Sequence, residues 1–203
     1  MEIMNDLILH SYRRCPFAIR VRMVLEEKSL SYTLIEEDLA APSESLVKHH
    51  PEGTVPLLIH RGEVIYESSV ITEYLEDTFP SPALRSVSAL ERARLRMWTV
   101  WCDQMFKPDL DLFKYELQTL SQHDQDQLLD RVRSHLRYLD DALIGRRYLM
   151  GSELGLADIH VFPFYRQIKK AHPHFDELFQ TKRLNPWLEG ILQRPSFERA
   201  FKK

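Results

Sequence analysis

Leu7-Ile8-Leu9-His10-Ser11-Tyr12-Arg13-Arg14-Cys15-Pro16-Phe17-Ala18-Ile19-Arg20 decides the reading of this chain. Asp6 to His10 reads as a strand and Pro16 to Lys28 as a helix, because proline at the first helical position lacks only an N–H that would be unpaired anyway. Phe17, Val21, Val24 and Leu25 recur at helical spacing and predict a face packed on a sheet, with Arg20, Arg22, Glu26 and Glu27 on the other face. Cys15 therefore falls at or next to the N-cap, where unpaired backbone N–H groups carry partial positive charge. Such a position, with Arg13, Arg14 and Arg20 close in sequence, favours a thiolate: known reactive sites lower a cysteine pKa from about 8.5 to roughly 3.5–7.5. A small buried cysteine is the competing reading of the local context.

Working outward, Tyr32 to Glu37 reads as a second strand and completes a βαβ opening. A weaker helical stretch, Ser43 to His49, precedes the turn Pro51-Glu52-Gly53. Pro56 to His60 and Val64 to Tyr66 then form a hairpin around Arg61-Gly62. A helix from Ser68 to Asp77 runs into Phe79-Pro80-Ser81-Pro82, which marks a domain boundary. Residues 1–80 are expected to form one domain and residues 88–203 a second, all-helical one. Two stripes at spacings of three and four are expected to be core: Leu90, Ala93, Met97, Trp101 and Met105, then Leu128, Val132, Leu136, Leu139 and Leu143. Gly145 stops the helix that carries the second stripe, and a further helix starts after Gly151 to Gly155.

The 203 residues are 44% hydrophobic and 28% charged with a formal net charge of −3, an ordinary balance for a globular protein. Lys and Arg are spread along the chain, so composition argues against nucleic acid and against a lipid surface as partners. Two cysteines, Cys15 and Cys102, are too few for a disulfide framework and fit a reducing, cytoplasmic setting. Glu2 and Asp6 before a short apolar run resemble neither a signal peptide nor a membrane span. His49-His50 and His172-Pro173-His174 lack a CxxC or HExxH partner, so they read as solvated loop histidines and no metal is expected. Cys102 reads as an unreactive thiol of the helical domain.

Cys15-Pro16-Phe17-Ala18, Thr54-Val55-Pro56, Glu67-Ser68-Ser69 and Gly155-Leu156-Ala157-Asp158-Ile159 occur in an order and approximate spacing that resembles the cytosolic glutathione transferase superfamily, in its cysteine-type, omega-like branch. The resemblance covers nearly the whole chain. It implies a thioredoxin-like N-terminal domain followed by an all-α glutathione transferase C-terminal domain. It further implies glutathione as co-substrate, a homodimer, Cys15 as nucleophile, and Phe17, Val55, Pro56, Glu67 and Ser68 as the glutathione-binding set. A cis Val55-Pro56 bond would turn the Val55 backbone towards the cysteine of glutathione. Ser68 at a helix start would bind the γ-glutamyl carboxylate while Glu67 neutralises the ammonium. Ser68 is otherwise a simple N-cap. Asp158, at the third helical position, can accept from the Gly155 N–H, with Leu154 and Ile159 as the hydrophobic staple.

Two departures stand out. Gly155 replaces the usual Ser or Thr of the capping box, and Pro42 lies roughly where the omega-like pattern has a lysine for glutathione's glycine carboxylate. Tyr12 reads as loop packing, while Tyr165, Arg166 and Tyr115 could line an acceptor-substrate cleft. The expected chemistry is reductive thiol transfer on a small disulfide, because a cysteine can itself form a mixed disulfide where a Tyr or Ser hydroxyl only activates glutathione. The alternatives are conjugation of hydrophobic electrophiles and a non-enzymatic role resembling the stringent starvation protein branch, which contacts RNA polymerase.

Overall fold

A computed structural model describes residues 6–201, and of Pro173, His174 and Asp176 the backbone only. Two compact units result: one runs to Leu84 and resumes at Arg194, and the other is Arg85–Gln193. The first unit contains β1 (Leu7–Ser11), α1 (Pro16–Glu27), β2 (Thr33–Glu36), α2 (Glu44–His49), β3 (Leu57–His60), β4 (Glu63–Tyr66) and α3 (Ser68–Thr78). The four strands lie in the order β2-β1-β3-β4. β1 pairs parallel with β2, with Leu9 opposite Leu34, and antiparallel with β3, with Leu9 opposite Leu58. The β3–β4 hairpin turns through Arg61 and Gly62 at φ of 54° and 84°. Two successive positive φ values are what a two-residue turn between right-twisted strands demands. This is the thioredoxin-like arrangement expected from the sequence.

The second unit is helical: α4 (Ala89–Trp101), α5 (Lys107–Asp111), α6 (Gln122–Ala142), α7 (Leu156–Ala171) and α8 (Leu184–Leu192). Single π-helical turns, Cys102–Phe106 and Leu112–Glu116, flank α5. All five residues of the α6 stripe are buried. The α4 stripe is not core: Leu90, Met97 and Met105 are 60%, 67% and 57% exposed, while Leu95, Thr99, Cys102 and Phe106 turn inward. Helical periodicity identified an apolar face correctly but could not say that this face lies on the surface. Tyr165 is fully buried and donates to Asn185 Oδ1 at 3.1 Å, so its side chain belongs to the interior of this unit and does not line a substrate cleft. Among the described residues no helix is long and apolar enough to cross a membrane.

A last helix, α9 (Pro195–Ala200), groups with the first unit and packs on α1. Arg194 makes a bidentate pair with Glu27 at 2.6 and 2.8 Å, and Ser196 Oγ donates to the same carboxylate. Burial opposes ionisation of Glu27, but these donors prevail and hold its carboxyl below the usual range. With α3 and α9 both against α1, the helix has no exposed polar face of the kind expected: Arg20 and Arg22 are 0% and 1% exposed. Their burial is a correction of the amphipathic reading: Arg20 turns to Ser68 at the start of α3 and Arg22 to Glu36 at the end of β2, while α9 engages Glu26 and Glu27.

Candidate functional site

Cys15 is the N-cap of α1, with extended backbone angles of φ −74° and ψ 120°. Its N–H donates to the Tyr12 carbonyl at 2.9 Å, and its own carbonyl accepts the first helical bond from Ile19 at 3.0 Å. The side chain makes no capping bond, so the half-exposed thiol is not used to close the helix end. Its Sγ lies 3.8 Å from the Val55 carbonyl oxygen. The Val55-Pro56 bond is cis, as the family resemblance implied; a second cis bond joins Ser81 and Pro82. Val55 belongs to a small core with Leu46 and Leu57, against which Tyr12 and Cys15 pack. Tyr12 thus packs as expected, and its hydroxyl accepts from Arg14 Nε at 2.7 Å.

The three arginines near Cys15 in sequence separate in space. Arg14 folds over the Tyr12 ring at 5.3 Å, and the Arg13 N–H donates to Glu36 at 2.6 Å. Arg20 Nη1 donates to Ser68 Oγ at 3.2 Å, and its guanidinium sits 5.1 Å from the Phe17 ring centroid. Arg20 thus links α1 to the start of α3. Ser68 is buried at the first position of that helix, and Glu67, its exposed N-cap, is held at φ 68° and ψ 117°. A non-glycine residue at positive φ costs about 1–3 kcal/mol and persists only where its surroundings enforce it, a condition that clusters at ligand sites. Contacts bring together Cys15 with Val55, and Arg20 with both Phe17 and Ser68. Arg20 was the residue whose role sequence reasoning missed, since only the tertiary fold joins it to Ser68.

The start of α2 is fixed by a second buried group. Glu37 accepts from the Ser43 N–H at 2.9 Å and the Ser43 hydroxyl at 2.7 Å, and pairs with His10 Nδ1 at 2.6 Å. Burial works against the Glu37 carboxylate, yet the bonds from His10 and Ser43 hold its pKa below the ordinary value. Ser43 Oγ in turn accepts from the Leu46 N–H at 3.2 Å and caps α2, directly after Pro42. His50 and His172 are not the free loop histidines expected. His50 is buried, bonded to Thr54 Oγ1 at 3.2 Å and to the Glu52 N–H at 3.1 Å, and His172 Nε2 bonds the Phe113 carbonyl at 2.7 Å. The His174 side chain lies outside the described residues. Cys102 is fully buried, 3.6 Å from the His160 carbonyl.

In the helical unit Asp158 is fully buried. It accepts from Gly155 N–H at 3.1 Å, the expected arm of the capping box, and also from Leu149 N–H and Trp187 Nε1, both at 2.8 Å. Gly155 has no side chain to supply the reciprocal arm. Burial pushes the Asp158 carboxyl up to about 6, against the pull of those three donors.

The glutathione S-transferase N-terminal and C-terminal domain families match residues 9–83 and 122–190. A stringent starvation protein A homolog from Haemophilus influenzae is 30% identical, over 88% of this chain and 82% of its own. A probable glutathione S-transferase from Nicotiana tabacum is 31% identical, over 77% and 68%. A solved rice glutathione S-transferase in complex with glutathione superposes with a TM-score of 0.83 at 26% identity, covering 98% of this chain and 92% of the other. With both domain families matched in order on the thioredoxin-like and helical units just described, the chain belongs to the glutathione S-transferase family.

Proposed function

We propose that the protein is a glutathione-dependent thiol transferase in which Cys15 is the nucleophile and Phe17, Val55, Pro56, Glu67 and Ser68 hold glutathione. The observation that carries this reading is the half-exposed thiol at the start of α1, unused for capping and 3.8 Å from the Val55 carbonyl oxygen. A helix amino end favours the thiolate, which is the attacking species in disulfide exchange. The Cys15 thiolate attacks the glutathionyl sulfur of a mixed disulfide R–S–S–G. The S–S bond of R–S–S–G breaks, RS⁻ leaves with the electron pair, and a Cys15–glutathione disulfide forms. A second glutathione thiolate then attacks the glutathionyl sulfur of that adduct, forming oxidised glutathione and returning the Cys15 thiolate. Glutathione supplies both electrons, so no second protein cysteine takes part. Ser68, held by the buried Arg20, and the backbone N–H groups opening α3 suit the γ-glutamyl carboxylate. The solved rice relative in complex with glutathione supports this ligand.

The exposed Leu90 and Met97 of α4, with Met105 of the π-helical turn that follows it, are the surface we assign to a homodimer contact, since exposed apolar patches mark association surfaces. A non-enzymatic role is favoured by one observation, that the relative at 30% identity is named as a stringent starvation protein A homolog. One experiment separates the two. Intact-mass analysis after incubation with oxidised glutathione is expected to give a single glutathione adduct at Cys15, removed by excess reduced glutathione. Absence of the adduct, together with no glutathione binding by calorimetry, would favour the non-enzymatic role.

A further inference from the structure

The two serines at the start of α2 have different partners. Ser43, the cap, donates its hydroxyl to Glu37 and accepts from the Leu46 N–H, so its oxygen is committed on both sides. Ser45, partly exposed at the second position of the helix, has its Oγ 3.4 Å from Nε2 of His10. The other ring nitrogen of His10 lies 2.6 Å from Glu37 Oε1. Glu37, His10 and Ser45 therefore form a carboxylate–imidazole–hydroxyl chain within one compact unit.

Sheet register builds this chain. Parallel pairing sets Ser11 beside Glu36, and the Glu37 N–H donates to the Ser11 carbonyl at 2.8 Å, which brings the Glu37 carboxylate to β1. His10 lies opposite Leu57 of β3 and is fully buried, a position where a polar ring needs partners for its nitrogens. Glu37 assigns the proton on that ring. Against the cost of burial, His10 and the two Ser43 donors hold its carboxyl below the ordinary range, so it is ionised at neutral pH. A carboxylate only accepts. In the neutral ring Nδ1 thus carries the hydrogen, and Nε2 turns its lone pair to the Ser45 hydroxyl. That is the division of roles in a serine hydrolase, which is recognised by geometry and not by position in the chain. Nucleophile–base bonds of this length tighten when substrate engages the hydroxyl.

We propose that Ser45, His10 and Glu37 form a second catalytic site, which hydrolyses small, unhindered carboxylic esters without glutathione. Ser45 Oγ attacks the ester carbonyl carbon; the new O–C bond forms as the carbonyl π pair moves to oxygen, and the hydroxyl proton passes to His10 Nε2. Collapse of the tetrahedral intermediate breaks the bond to the alcohol, which leaves with that proton. Water then attacks the acyl-Ser45, gives its proton to His10, and releases the carboxylic acid as Ser45 regains its hydrogen. Ester and water are consumed and acid and alcohol formed, with no change of oxidation state. Neither Cys15 nor any residue assigned to glutathione takes part. Fastening α2 to the sheet is the competing role of the same bonds, and the test separates the two.

The Cys15→Ala chain without glutathione is the protein to assay, since it removes the half-exposed thiol, and Cys102 is buried. An alkyl fluorophosphonate is expected to add once, at Ser45 by peptide mapping, with loss of fluoride, and to block hydrolysis of 4-nitrophenyl acetate. Ser45→Ala should take up no probe at α2 and lose at least about tenfold in 4-nitrophenolate release. His10→Asn keeps a donor for Glu37 but puts no basic nitrogen at Ser45, and should slow the addition at least about a hundredfold. Ser45→Ala changes a partly exposed helix position to the better helix former, so the test stands however well His10→Asn folds. No adduct at Ser45 would overturn the proposal, as would undiminished 4-nitrophenolate release by Ser45→Ala. A lowered thermal midpoint with undiminished release would leave these three residues as a fastening of α2 alone.

Discussion

Two helix starts in this protein are built from similar materials and used oppositely. At the start of α1 the N-cap side chain is a half-exposed thiol that makes no capping bond, and the neighbouring start of α3 holds Glu67 at positive φ. At the start of α7 the N-cap side chain is missing altogether, yet Asp158 gathers three N–H donors in a fully buried position. In the first arrangement the cap side chain makes no bond to the helix end, while the second gathers its polar groups internally. A helix amino terminus is a resource for either chemistry or stability, and what decides between them is whether its donors already have partners.

If that contrast holds, substitutions at the two starts should separate activity from stability. The largest effect is expected for Cys15→Ser. Turnover of a glutathione mixed disulfide should fall by at least about a thousandfold, because a hydroxyl is a far weaker nucleophile at neutral pH, while the denaturation midpoint stays within the range of a surface change. Coupled disulfide-reduction kinetics alongside thermal melting measures both, and retained turnover would make the thiol structural.

Asp158→Ala should do the reverse. It strands the N–H groups of Leu149, Gly155 and Trp187, and a loss of about 3 kcal/mol in unfolding free energy is expected with little change in glutathione affinity. The pH dependence sharpens this. With its folded pKa raised from 3.8 to about 6, Asp158 contributes stability that is full below about pH 4 and lost as pH rises through 6. The advantage of the wild type over Asp158→Asn should therefore shrink by about 3 kcal/mol across that window in urea titrations. An advantage that grows with pH would mean the three donors outweigh burial.

Smaller effects are expected from adjusting each start rather than dismantling it. Ser68→Ala removes the hydroxyl that accepts from Arg20, and should weaken glutathione binding by about 1–3 kcal/mol in calorimetry. Unchanged affinity would reduce Ser68 to a packing residue. Gly155→Ser should raise the thermal midpoint by the equivalent of about 0.5–1 kcal/mol, since it supplies the missing capping arm at φ −133°, a backbone angle that serine adopts readily. A lowered midpoint would mean the position has no room for a side chain.

Sequence alone determined the βαβ opening, the β3–β4 hairpin, the placement of Cys15 at a helix start and the Asp158–Gly155 arm of the capping box. Each of these follows from local rules: proline geometry, period-two or helical patterning, turn residues, and a fixed spacing of three. Tertiary structure decided which apolar face became core. The α6 stripe is buried and the α4 stripe exposed, although both have the same periodicity, because periodicity identifies a face without identifying what covers it. It also decided the fate of charge. Arg20 and Arg22 read as solvent-facing, but both are buried, Arg20 against Ser68 of α3 and Arg22 against Glu36 of β2, whereas α9, some 170 residues later in the chain, takes up Glu26 and Glu27. The further bonds of Asp158, to Leu149 and to Trp187 29 residues away, were illegible for the same reason. Hydrogen-bond partners brought together by packing leave no periodic or spacing signal in the chain that contributes them.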